Sequence, residues 1–259
     1  MTSVVKEFFA RIARNGDHIR VVLSDILITL GAIALLFYVW YVWLGDVVSG
    51  AQQDTAAASL SASWEKPAQG IPEFDRASGD STGARRSPKP PILAVPSAGR
   101  SFATIIIPRF GDNFERTIAE SVDVKRVLNN SQTGVGHYVS SEPLGAVGNF
   151  AVAGHRTTFG APFGNVDKLR VGDRIYIETK KGWYIYRFRN MEWVYPTQSD
   201  VLNPVPTLTI AAKDRILTMT SCHPKLSAAE RFIAYSVFET FVPRRSGAPA
   251  EVAAMRAGS

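Results

Sequence analysis

Hydrophobic positions along the chain follow two different patterns. Residues 26–44, ILITLGAIALLFYVWYVWL, form 19 consecutive positions without a charge. At about 1.5 Å of rise per residue, a helix of that length crosses the roughly 30 Å of a bilayer's hydrocarbon. Tyr38, Trp40, Tyr41 and Trp43 gather at its C-terminal end, where amphipathic rings favour the headgroup level. Lys6, Arg11, Arg14 and Arg20 precede it, and the next basic residue is Lys66. The positive-inside rule therefore predicts a single-pass cell-membrane protein with residues 1–25 cytoplasmic and everything after Leu44 outside. The stretch is longer than the roughly 7–15 residues of a signal-peptide core, which favours an anchor over a cleaved leader.

The second pattern begins near residue 100. Short apolar runs recur between turn signals: FATIIIP at 102–108, NFAVAGH at 149–155, DRIYIET at 173–179, WYIYRFRNMEWVYP at 183–196, RILTMTSC at 215–222 and RFIAYSVFETFV at 231–242. These read as strands. One stretch, IAESVDVKRVL at 118–128, reads as a helix. Many short strands with few helices predict an all-β fold, a closed or nearly closed barrel occupying residues 100–243. Residues 45–99 are rich in Ala, Ser, Gly and Pro, too polar to offset their ordering entropy. They read as a flexible extracellular linker, stiffer at the Pro-rich end, in which Trp64, Ile71 and Phe74 are isolated apolar positions. Residues 244–259 lack a core pattern and read as a disordered tail.

Composition narrows the function classes. With 259 residues, 46% hydrophobic and 20% charged, the chain is neither wholly disordered nor a multi-span membrane protein. The net charge of +6 suits anionic lipid or wall polymer, and the extracellular placement argues against nucleic acid as a partner. A single cysteine, Cys222, removes any disulfide framework and any zinc site built on paired thiolates. Asp112, Glu115 and Glu120 have the ordinary spacing of a solvated face, so neither a metal site nor a cofactor is expected.

The two-residue period of RILTMTSC sends Leu217, Met219 and Ser221 to one face and Thr218, Thr220 and Cys222 to the other. Cys222 thus ends its strand beside two hydroxyls. A lone cysteine is commonly a small buried hydrophobe, but an unpaired extracellular thiol at a polar strand end invites a functional account. As a nucleophile it needs a proton-trading partner and an oxyanion donor. His155 ends the strand NFAVAGH. His18 lies on the cytoplasmic side, and His137 occupies an expected turn as a structural histidine. His223 should project away from the thiol's face. Arg231 opens the last strand nine positions after Cys222, so the intervening loop can bring its guanidinium back towards the thiol, although such an arginine is ordinarily a solvated charge.

The segments AGHRTTFGAPFGNVDKLRVGDRIYI and TMTSCHPKLSAAERFIAY resemble the sortases, membrane-anchored cysteine transpeptidases of Gram-positive bacteria, and look closest to the actinobacterial class E branch. The resemblance covers roughly residues 102–242. It implies an eight-stranded sortase barrel with short helices. Around the nucleophile the family pattern is Thr-Leu-x-Thr-Cys, where this chain has Thr218, Met219, Thr220, Ser221 and Cys222. It implies Cys222 as nucleophile, His155 as general acid/base and Arg231 as the group holding the substrate backbone and the oxyanion. Thr218, Thr220 and Ser221 are the implied substrate-binding positions. The implied partners are sorting-signal peptides of secreted surface proteins and the amine of a lipid-linked peptidoglycan precursor. The implied signal is of the Leu-Ala-x-Thr-Gly type, cut between Thr and Gly through a thioester. Two other readings stand beside this one: a thiol hydrolase of the same peptides, and a catalytically silent, membrane-tethered wall-binding module.

Overall fold

A computed structural model describes residues 2–65 and 89–258. Eight strands occur in the order β1 (Ser101–Ile106), β2 (Glu115–Glu120), β3 (Gly134–His137), β4 (Gly148–Gly154), β5 (Arg174–Thr179), β6 (Gly182–Val194), β7 (Arg215–His223) and β8 (Glu230–Pro243). They close into one barrel, β1-β2-β3-β4-β7-β8-β6-β5. Pairing is parallel between β2 and β3 and between β4 and β7, and antiparallel elsewhere. The barrel expected from the hydrophobic pattern is therefore present, with all six anticipated strands in place.

Alternation explains the inside of the barrel. Ala103, Ile105, Phe150, Val152, Leu217, Met219, Phe232 and Ala234 all point into one core. The other face of one wall is covered too: Ile106, Tyr176 and Ile185 pack on Val252 from a short helix, α3 (Ala250–Ala257). A wall buried on both sides has no polar face to present, which is why the run of isoleucines at 105–107 shows no alternation.

The helix expected over 118–128 does not form. Residues 118–120 finish β2, and only 124–128 make a single π-helical turn. Ser121 adopts φ 87°, and the Asp123 carboxylate accepts from the backbone N–H groups of Lys125 and Arg126, so the chain turns where the apolar spacing suggested continuity.

Two compact units divide the chain, Met1–Gly45 and Asp46–Ser259. The first contains α1 (Thr2–Val39) and the π-helical turn Trp40–Leu44. Its segment Arg20–Val39, 20 residues, is long and apolar enough to cross a membrane, starting six residues before the expected span.

In the second unit the flexible linker expected over 45–99 is corrected at both ends. Helix α2 (Gly45–Glu65) packs on the barrel and buries Gly50, Gln53, Ala57 and Ser61. Trp64, which the sequence left isolated, lies under the Arg244 guanidinium, 5.5 Å from ring centroid to charge centre. At the other end Leu93 N–H donates to Leu144 O (3.0 Å) and Tyr184 Oη donates to Pro91 O (2.6 Å), fixing residues 91–93 along the wall. Ile71, Phe74 and the middle of the expected linker lie outside the described residues. The C-terminal segment is also ordered: Arg256 of α3 reaches Glu115 and Glu178, the latter at 2.6 Å. Local composition missed both helices: the buried positions of α2 are small or polar, and α3 turns only Val252 and Met255 to the barrel, too little to mark a helix alone.

Candidate active site

The expected residues lie on or just after three neighbouring strands, β4, β7 and β8. In the antiparallel β7–β8 pair, Cys222 stands directly opposite Arg231. Directly opposed residues share a face with their Cβ atoms about 4.5–5.5 Å apart, so the guanidinium stem rises beside the thiol. On the other side β4 runs parallel to β7, with Ala153 level with Thr220. β4 ends at Gly154, so His155 follows directly from the strand that runs beside β7. Ser221 Oγ donates to Gly154 O at 2.8 Å and locks the two strand ends at this level. Cys222 and His155 are half-buried.

The polar partners of His155 set its tautomer. Its Nε2 lies 2.8 Å from Asn129 Oδ1, an oxygen that can only accept. The neutral ring therefore carries its proton on Nε2 and offers Nδ1 as the basic nitrogen. Phe159 covers the ring, with centroids 5.2 Å apart at 34°. Burial holds the imidazole below its ordinary value, against a smaller upward pull from the Asp46 carboxylate of α2. Arg231 is aimed by its own backbone: Nη1 donates to Ala228 O at 3.0 Å and to Glu230 O at 3.1 Å. Nε and Nη2 carry three further hydrogens, a planar two-pronged donor set suited to a carbonyl or oxyanion.

The three expected substrate-binding hydroxyls differ in what they can reach. Thr218 is fully buried, and its hydroxyl donates to Asn149 Oδ1 at 2.7 Å. Asn149 in turn donates to the carbonyls of Val201 and Asn203, so the 199–203 segment covers this part of the face. Thr218 is thus a core contact and not a groove residue. Ser221 is also buried, with its hydroxyl committed to Gly154. Thr220 pairs with Tyr138 Oη at 2.8 Å, one step of the two-residue period from Cys222.

The other histidines go elsewhere. His137 is not in a turn but in β3, buried and bonded through Nδ1 to Glu120 at 2.8 Å. His223 packs against Trp193 with centroids 5.3 Å apart at 31°, and as the next residue of β7 it leaves the opposite face from Cys222. His18 lies where side chains are not described. Of the carboxylates considered for metal, Glu115 pairs with Arg256 and Glu120 with His137.

The sequence reading missed Asn129, which holds the ring from 26 residues upstream, and Asp46, whose carboxylate accepts from Thr158 N–H and Gly160 N–H at 3.0 and 3.2 Å. No spacing rule links either to His155. Arg156 was also passed over: it is buried, pairs with Asp167 at 3.2 Å and lies 4.9 Å over the Phe232 ring beneath the site.

The closed eight-stranded barrel is the fold the sequence resemblance implied. The sortase domain family model matches residues 105–239, and the chain belongs to the sortase family. Among curated relatives it is 30% identical to Sortase SrtE1 of Streptomyces coelicolor over 88% of this chain; the match spans 59% of the length of that relative. Among solved structures it resembles the SrtA sortase from Actinomyces oris, with a TM-score of 0.60 and 32% identity over 64% of this chain and 95% of that one. It also resembles Sortase E1 from Streptomyces coelicolor with a tripeptide in the active site, with a TM-score of 0.55 and 32% identity over 60% of this chain and 97% of that one.

Proposed function

We propose that this chain is a membrane-anchored cysteine transpeptidase that joins secreted surface proteins to the cell wall. Its substrate is a C-terminal sorting signal of the Leu-Ala-x-Thr-Gly or Leu-Pro-x-Thr-Gly kind, cut between Thr and Gly. What supports the reading is the register that sets Cys222 opposite Arg231 on β7 and β8, with His155 following the end of the neighbouring β4.

The chemistry follows from that geometry. Cys222 gives its thiol proton to His155 Nδ1, and its Sγ attacks the threonine carbonyl carbon, forming the C–S bond. Arg231, with its Nε and Nη2 edge, stabilises the charge developing on the carbonyl oxygen. The C–N bond to glycine breaks as protonated His155 gives its Nδ1 proton to the departing amine. A thioester remains on Cys222. The amine of a lipid-linked peptidoglycan precursor then attacks that carbonyl, His155 takes the proton back, and the thiolate leaves. The segment Arg20–Val39 would hold the enzyme at the membrane surface, N-terminus inward, where both substrates emerge.

The test separates transfer from hydrolysis. Full-length protein in detergent micelles is incubated with a sorting-signal peptide and an excess of diaminopimelate or glycyl amine, and products are read by mass spectrometry. The expected result is ligated peptide that requires the amine and vanishes in Cys222→Ala. Cleavage to free acid alone, unaffected by amine, would identify a hydrolase; no turnover with any sorting peptide would favour a silent binding module.

A further inference from the structure

Helix α2 contributes more than packing, and its most telling residue is Gln53. This side chain is fully buried, and its amide Nε2 donates to two carbonyls far apart in sequence, Phe159 O at 2.9 Å and Asn130 O at 3.3 Å. Each carbonyl belongs to a segment that holds the catalytic imidazole. Phe159 supplies the ring lying on His155. Asn130 follows Asn129, whose Oδ1 accepts from His155 Nε2. We propose that Gln53, on a helix outside the barrel, is a positioning residue for His155, tying together the two loops that fix the ring's orientation and tautomer. The inference rests on the reading of His155 as the acid/base group.

The loop after His155 needs such a tie. Thr158, Phe159, Gly160 and Ala161 all have positive φ, at 63°, 52°, 81° and 39°. Three of these are not glycine, and left-handed backbone persists at such residues only when its surroundings enforce it. Helix α2 grips two peptide groups there: Asp46 accepts from the N–H of Thr158 and of Gly160, and Gln53 donates to the carbonyl of Phe159, the other side of the peptide whose N–H is Gly160's.

The pocket is shaped for the amide itself. A Cβ at Gly134 would lie 2.5 Å from Gln53 Nε2, and one at Gly160 would lie 2.7 Å from Gln53 Oε1, so both glycines leave the room the side chain occupies. Two carbonyl oxygens facing one group demand the NH2 end there and fix the amide's orientation. Oε1 is left buried with no partner among the described residues. A leucine of similar volume would avoid that desolvation cost, so packing alone does not account for a glutamine at this position.

The experiment uses the full chain in detergent micelles with a fluorogenic sorting peptide and saturating amine. Gln53→Leu keeps the volume and removes both donors. Its kcat should fall about 10- to 100-fold with KM within about twofold, the cost expected when a reacting group is misplaced by about 1 Å. The exchange-protected imidazole Nε2–H proton signal expected of the parent should broaden away. Combined with Asn129→Ala, the loss should be no greater than that of the worse single variant, because both act through one ring. If Gln53→Leu fails to fold, Asp46→Ala relaxes the same loop from the half-exposed start of α2 and should show the same signal loss with a roughly 3- to 10-fold drop in kcat. Wild-type kcat and an intact imidazole signal in the folded variant, with Cys222→Ala inactive, would overturn the role of Gln53 and leave the transpeptidase reading standing. Turnover by Cys222→Ala would remove both.

Discussion

Two opposed influences act on the His155 ring. Burial disfavours the imidazolium, while Asp46, the first acidic residue of α2, favours it across the 158–160 loop. Cys222 on β7 and Arg231 on β8 belong to the strands beside β4, which His155 follows. Since burial already holds the midpoint below the ordinary histidine value, removing the carboxylate should lower it further. Asp46→Asn is therefore predicted to titrate His155 at lower pH than the parent, measured by ring-proton NMR in a chain with only four histidines. An unchanged or higher midpoint would show that the carboxylate does not act on the ring. Thr218 teaches the reverse lesson at this scale. Its place in the motif put it beside the nucleophile, but a motif position does not show which face another segment covers, and here residues 199–203 cover it.

Strands were the most legible elements, because β-branched and aromatic residues at a two-residue period announce them directly, as in β5, β7 and β8. β3 was not legible: Gly134 and Gly136 supply no pattern, and its existence depends on β2 and β4 pairing on either side. The helix expected at 118–128 failed because an apolar spacing that fits 3.6 residues per turn also fits a strand followed by a capped turn. Cys222, His155 and Arg231 could be proposed from strand ends and resemblance, because each sits at or beside the end of a strand the sequence marks clearly. Helix α2 was hidden for the opposite reason. Its buried positions are Gly50, Gln53, Ala57 and Ser61, small or polar residues that write no apolar stripe, and their energy comes from hydrogen bonds to distant loops. Composition alone reads such a segment as a linker.

In the unit Asp46–Ser259 as a whole, one buried carboxylate links three parts of the chain. Glu178 of β5 accepts from Arg244 at 2.8 Å, from Arg256 of α3 at 2.6 Å and from Ser61 of α2 at 2.8 Å. Burial opposes its charge, but the bonds from Arg256, Arg244 and Ser61 prevail and hold the group below its ordinary value of 4.5. A folded value below the unfolded one gives stability that is complete above the ordinary value and is lost as pH falls through the folded value. Glu178→Gln leaves two guanidiniums facing a neutral amide, and should cost about 3–5 kcal/mol at pH 7. The gap from the parent should narrow as the pH falls through the acid range, where parent Glu178 is protonated too; urea unfolding at neutral and acid pH measures it. A gap that stays constant with pH would mean the carboxylate's charge is not what joins α2, the barrel and α3.

The central claim is that Cys222 carries the acyl group of a sorting signal between two amines. Intact-protein mass spectrometry of the full chain, mixed with a sorting-signal peptide and quenched in acid before amine is added, tests it most directly. The account predicts a mass increase equal to the peptide's threonine-terminated fragment, located on Cys222, that disappears when an amine is supplied and is absent from His155→Ala over the same interval. An unmodified Cys222 while peptide is being cleaved, or an adduct on any other residue, would contradict it.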